Sequence, residues 1–189
     1  QRQPFGGWKR SAVGGGAKAG GPNYVAQLGT WTEDDASPDG DPLNDYAEQW
    51  RTYFSIGHDP TGLFCESNIF RYRPLDRIGL RIGLDATSRE IALVRTAAET
   101  CGVELVVSAH AEETPVQFAE RLPRLGVTRV RIIGEAVDHQ VHTAANTSHV
   151  HLATAPVVSV GRIELLHYVR EQAIARTLHR FGNLTGAPP

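Results

Sequence analysis

Apolar residues recur at helical spacing over residues 43–54, where Leu43, Tyr46, Ala47, Trp50 and Phe54 fall on one face of a short amphipathic helix. His58-Asp59-Pro60-Thr61-Gly62 closes it as a turn. From Glu66 the pattern is regular, with strands predicted over 69–72 and 78–84. Thr87 with Glu90 makes a capping box, after which Ile91, Val94, Ala98 and Cys101 line one helical face before Gly102 stops the helix. The run 103–108 is almost continuously apolar, as a strand buried on both faces would be. Thr114-Pro115 opens another helix, which Pro123 and Gly126 end. A strand over 127–133, a helix over 135–145 and a strand over 149–153 follow. Ile163, Leu166, Val169 and Ala173 predict a closing helix over 161–178. Strands alternating with helices of this length mean βαβ units, hence an α/β fold with a mostly parallel sheet and flanking helices.

The first 32 residues differ. They are glycine-rich, yet Phe5, Trp8, Tyr24, Val25, Leu28 and Trp31 punctuate them, so this loop is expected to pack onto something. Residues 33–65 begin acidic, with Pro and Gly, and carry the short helix; they are expected to link the glycine-rich tail to a C-terminal domain over 66–189.

Composition narrows the function classes. Of 189 residues, 41% are hydrophobic and 21% charged, as in ordinary globular domains. The net charge of -2, with Lys and Arg dispersed, leaves no dense basic patch for nucleic acid. Neither a membrane-length apolar run nor a signal peptide is present, and two distant cysteines suit a reduced, cytoplasmic chain. The sequence has no methionine and opens inside a dense motif, so a piece of a longer protein is expected.

That motif is Pro4-Phe5-Gly6-Gly7-Trp8-Lys9-Arg10-Ser11, followed by Gly14-Gly15-Gly16-Ala17-Lys18-Ala19-Gly20-Gly21-Pro22. Backbone N–H groups at Gly20 and Gly21 could hold a carboxylate without a charged side chain. A purely structural glycine loop fits the residues equally well. A phosphate-cradling loop does not, because no Gly-Lys-Ser/Thr follows; nor does the dinucleotide fingerprint, because no strand leads in.

These residues resemble the end of the catalytic domain of aldehyde dehydrogenases, and Lys18-Ala19-Gly20-Gly21-Pro22-Asn23-Tyr24 is similar to L-glutamate γ-semialdehyde (1-pyrroline-5-carboxylate) dehydrogenases. Gly15 stands where relatives often have proline. Glu66-Ser67-Asn68-Ile69-Phe70-Arg71-Tyr72-Arg73-Pro74 and Arg170-Glu171-Gln172 resemble the C-terminal domain of bifunctional proline utilisation enzymes, a Rossmann-like domain whose implied role is a lid or dimer element. The resemblance implies that Phe5 lines the aldehyde pocket and that Gly20 and Gly21 anchor the substrate's α-carboxylate. It implies NAD as cofactor of the parent enzyme, bound by an upstream aldehyde dehydrogenase domain, and FAD where a proline dehydrogenase domain is fused further upstream. Its implied partners are that upstream domain, a small-molecule substrate and further copies in a homo-oligomer.

Family chemistry needs a cysteine thiolate and a glutamate base. Cys101 sits on an apolar helix face and Cys65 beside a turn, so the nucleophile is expected elsewhere and the chain alone is expected to be inactive. No NAD site is expected within this chain, since Leu84-Asp85-Ala86-Thr87-Ser88 lacks a glycine fingerprint. Asp138, His139, His142, His149 and His151 are metal-capable residues, with solvated histidines the favoured alternative. Arg71, Arg73, Arg77 and Arg81 suit an anion, or more simply a strand edge and salt bridges. A free-standing nucleotide- or metal-binding α/β module and a structural interaction domain remain the competing functions.

Overall fold

A computed structural model describes residues 3–7, 15–32, 41–180 and 183–184. The elements run α1 (Pro42–Gln49, continuing as one π-helical stretch Trp50–Phe54), β1 (Glu66–Pro74), β2 (Arg77–Ile82), α2 (Ser88–Cys101), β3 (Glu104–Ala109), α3 (Pro115–Arg121) and β4 (Arg129–Ile133). Then come α4 (His139–Ser148), β5 (His151–Ala153), α5 (Gly161–Glu164, extended by a 3-10 turn Leu165–Tyr168), β6 (Val169–Thr177) and a small pair, β7 (His179–Arg180) and β8 (Asn183–Leu184).

Four parallel strands lie in the order β3-β2-β4-β5, with helices on both faces, a Rossmann-like α/β sheet. Strand alternation sorts the core. Val130 and Ile132 of β4 pack with Phe118 of α3 and Val141 and Ala145 of α4. Ile133 joins Ile78, Leu80, Leu93 and Val94 with α1, α2 and Leu165 on the other face. No described helix is long and apolar enough to cross a membrane.

Local chemistry holds the helix ends. Thr87 and Glu90 form the expected capping box, and Gly102 caps the C-terminus of α2 in the left-handed region (φ 68°). Thr114 caps α3 reciprocally with Gln117. Asp138, among the metal-capable residues, accepts from the Gln140 N–H as the N-cap of α4.

Three expectations change. Residues 161–178 are not one helix. The helical turns end at Tyr168, and Val169–Thr177 zips antiparallel onto β1, from Glu66 opposite Thr177 to Pro74 opposite Val169. Nine residues of pairing override a local helical preference worth tenths of a kcal/mol per residue. The apolar run of β3 is not a central strand: it lies at the sheet edge, where Val107 is 41% exposed. His149 is not in β5. It adopts φ 56° as the C-cap of α4, so it shares no strand face with His151.

Candidate functional site

The glycine loop is tied to β6 by its own backbone and one lysine. Phe5 and Ala19 exchange N–H···O=C bonds of 2.9 and 2.8 Å, and Lys18 Nζ donates to the carbonyls of Gly6 and Gly7, both at 2.9 Å. The Lys18 N–H donates to Glu171 Oε2 at 2.6 Å, while Asn23 Nδ2 donates to Glu171 Oε1 at 2.8 Å and lies 2.6 Å from Tyr72 Oη. Glu171, Asn23 and Lys18 are all buried. Burial raises Glu171 above the usual carboxylate range, opposed by its bonds to Asn23 and Lys18, and burial lowers Lys18 against the pull of Glu171. The knot Lys18–Glu171–Asn23–Tyr72 was visible in the sequence only as fragments of three separate stretches, since 148 residues separate Asn23 from Glu171.

Phe5 projects outward, 84% exposed. Gly20 has φ 71°, a conformation L side chains rarely adopt, and its N–H has no acceptor among the described residues. The Gly21 N–H instead closes a turn onto the Lys18 carbonyl at 2.9 Å. The two glycines therefore differ: Gly20 presents an open donor, and Gly21 shapes the loop.

The remaining sequence candidates disperse. His139, His142 and His149 are exposed, and His142 Nδ1 lies 3.1 Å from Asn146 Nδ2. Among the described residues no three His, Cys, Asp or Glu side chains are placed to hold a metal ion. Cys65 is exposed; Cys101 is buried, and burial pushes its thiol up to about 12. Arg71 donates to Gln172 and Arg77 pairs with Glu104, whereas Arg81 lies fully buried under the sheet's C-terminal edge.

That edge is where open α/β sheets take ligands, at the point where strand order reverses between β2 and β4. Here the two loops occupy it themselves. The Gly83 N–H donates to Ile133 O at 2.8 Å and the Asp85 N–H to Gly134 O at 3.0 Å, so Gly83 and Gly134 lie back to back. Beneath them Arg81 donates to Glu135 (2.7 Å), Ser108 (2.8 Å) and the Glu113 carbonyl (2.7 Å).

A cavity of about 300 Å³ opens elsewhere, between the glycine loop, β5 and α5. Gly15, Trp31, Leu152, Ile163, Arg129 and His151 are among its walls, with His167 and Glu171. Burial, then Arg129, lowers His151 to about 4; burial, then Arg131, Arg129 and His151, holds His167 well below its ordinary value. Both histidines are thus neutral in the folded chain where an unfolded chain would protonate them. The unfolded state takes up protons first, so stability falls as pH drops from about 6.5 towards 4. Each histidine contributes a slope of up to about 1.4 kcal/mol per pH unit. Urea unfolding at pH 7, 6 and 5 should show this loss, and His151→Gln with His167→Gln should flatten it; an unchanged slope in the double variant would place the effect elsewhere.

No family model matches the chain, and no curated protein matches it. Among solved structures, Proline Utilization A (PutA) from Corynebacterium freiburgense is similar over 97% of this chain, with 40% sequence identity and a TM-score of 0.74. The match covers 20% of that protein's own length. At that identity over nearly its whole length, the chain is a relative of one section of Proline Utilization A.

Proposed function

We propose that the chain is the non-catalytic C-terminal section of a longer NAD-dependent dehydrogenase that oxidises L-glutamate γ-semialdehyde to L-glutamate in proline catabolism. In this reading the glycine loop completes the aldehyde site of an upstream cytoplasmic catalytic domain. Gly20 holds the substrate's α-carboxylate through its open N–H while Gly21 shapes the loop, Phe5 faces the aldehyde, and the α/β unit packs as a lid in a homo-oligomer. NAD accepts the hydride in the upstream domain. The observation that carries the proposal is the 40% identity to Proline Utilization A across 97% of the chain.

The loop geometry supports the division of labour. Lys18 and Glu171 brace the loop from behind, and the open Gly20 N–H faces away from any protein acceptor among the described residues. A methyl at Gly20 meets nothing within 4 Å, so its cost to the protein is the left-handed strain at φ 71°, about 1–2 kcal/mol. Gly20→Ala in the full-length parent is expected to lower kcat/KM for glutamate semialdehyde about ten- to a hundredfold, the loss of one hydrogen bond to a charged group. Propanal, which has no carboxylate, should lose far less. Equal losses on both substrates would show that the loop shapes the site without reading the carboxylate.

A further inference from the structure

The cavity beside the glycine loop holds two buried charges of opposite sign that do not pair with each other. Arg129 and Glu171 are each 5% exposed, and both line its wall. Arg129 donates to three neutral carbonyls, Gly15 at 2.7 Å, Leu166 at 2.9 Å and Val169 at 3.4 Å. Its Nε has no acceptor, and no carboxylate reaches it, among the described residues. Burial, then Arg170 nearby, depresses the guanidinium to about 10.

The contrast two residues along β4 is direct. Arg131, on the same face, is fully buried and meets Glu164 through both Nε and Nη2 at 3.1 Å. Where this fold buries an arginine for stability, it supplies a carboxylate. At Arg129 it supplies a cavity. Buried charges ordinarily find a partner, because desolvation without one is costly.

We propose that this cavity binds a free α-amino acid with an apolar side chain, its carboxylate on Arg129 and its ammonium on Glu171. Both groups meet on β6: Val169, whose carbonyl takes Arg129, and Glu171 are alternate residues of that strand. Each Glu171 oxygen already accepts one bond and keeps a lone pair for the ammonium. Neutral His151 and His167 add donors without competing charge, and Trp31, Leu152, Ile163 and Leu166 offer apolar walls. A volume near 300 Å³ suits a ligand of this size and is at the small end for larger metabolites. The cavity shares Glu171 with the brace of the glycine loop, but the ligand contacts proposed for it do not rest on the aldehyde reading.

Calorimetric titration of the full 189-residue chain with three matched probes tests the assignment. They are L-leucine, 4-methylpentanoate (no ammonium) and 3-methylbutylamine (no carboxylate). Leucine should bind about ten- to a hundredfold more tightly than either analogue, the loss expected for one charged hydrogen-bonding group. Glu171→Gln should abolish the preference for leucine over 4-methylpentanoate, and Arg129→Gln should abolish binding of the acid. The proposal fails if no probe binds the folded wild-type chain, if leucine binds no better than 4-methylpentanoate, or if Glu171→Gln preserves the difference between them. The comparison of probes on the wild-type chain decides the matter even where a variant does not fold.

Discussion

Glu164→Gln is expected to destabilise the fold by about 3–5 kcal/mol, the effect of stranding a buried charge. Both Glu164 and Arg131 are fully inaccessible to solvent. The carboxylate takes Arg131 through two bonds of 3.1 Å, the Tyr168 hydroxyl at 3.1 Å and the Val158 N–H at 3.3 Å. Arg131 also donates to the carbonyls of Ala153, Ala155 and Pro156, so one guanidinium staples the loop after β5 to α5. A neutral amide keeps the shape and removes the counter-charge. Adding Arg131→Met should recover only part of the loss, because those three carbonyls then lack a donor. Urea unfolding of the two variants measures both quantities. A cost below about 1 kcal/mol for Glu164→Gln would mean that solvent reaches Arg131 after relaxation and that the pair is not the anchor of this loop.

A methyl group at Gly134 is expected to be worse still, costing more than about 4 kcal/mol or preventing folding. Gly134 has φ 67°, and a Cβ there would overlap the backbone of Ala86. Gly83 faces it, where a Cβ would overlap the Gly134 carbonyl. The two loops after β2 and β4 can meet only because both lack side chains. Gly126 is the internal control: it has the same φ of 67°, yet a Cβ would meet nothing within 4 Å. Gly126→Ala should therefore cost only the left-handed strain of about 1–2 kcal/mol. Similar losses at the two positions in urea unfolding would show that backbone strain, and not the packed loop pair, sets the cost. The same contact accounts for the filled crevice at the sheet's C-terminal edge, so these glycines serve packing where a nucleotide-binding fold would use glycines for phosphate.

Much of the α/β unit was legible because its signals are local. Thr87 and Glu90 stand three residues apart and cap whatever helix follows them; Gly102 ends that helix because glycine tolerates φ 68°. The apolar face of α2 likewise reports burial through spacing alone. The candidate site was half legible. Glycines at 20 and 21 marked a loop able to present N–H groups, but nothing near them in sequence indicated that Gly21 would use its own N–H in a turn to Lys18.

What the sequence alone determined, then, was most of the element types, the caps of α2 and the N-cap of α3, and the α/β class, all set within windows of a few residues. Tertiary structure decided the rest. Residues 169–177 carry a helical pattern and become a strand because β1, about a hundred residues earlier, offers nine backbone partners. Asp138 and His149 resemble ligands in a list of metal-capable residues and prove to be the two caps of one helix. The unpaired Arg129 beside the paired Arg131 cannot be told apart in the string Arg-Val-Arg, since both sit on one strand face. Only the folded chain brings Glu164 to one guanidinium and a cavity to the other, because a buried charge takes its partner from whatever the distant chain delivers, not from its neighbours in sequence.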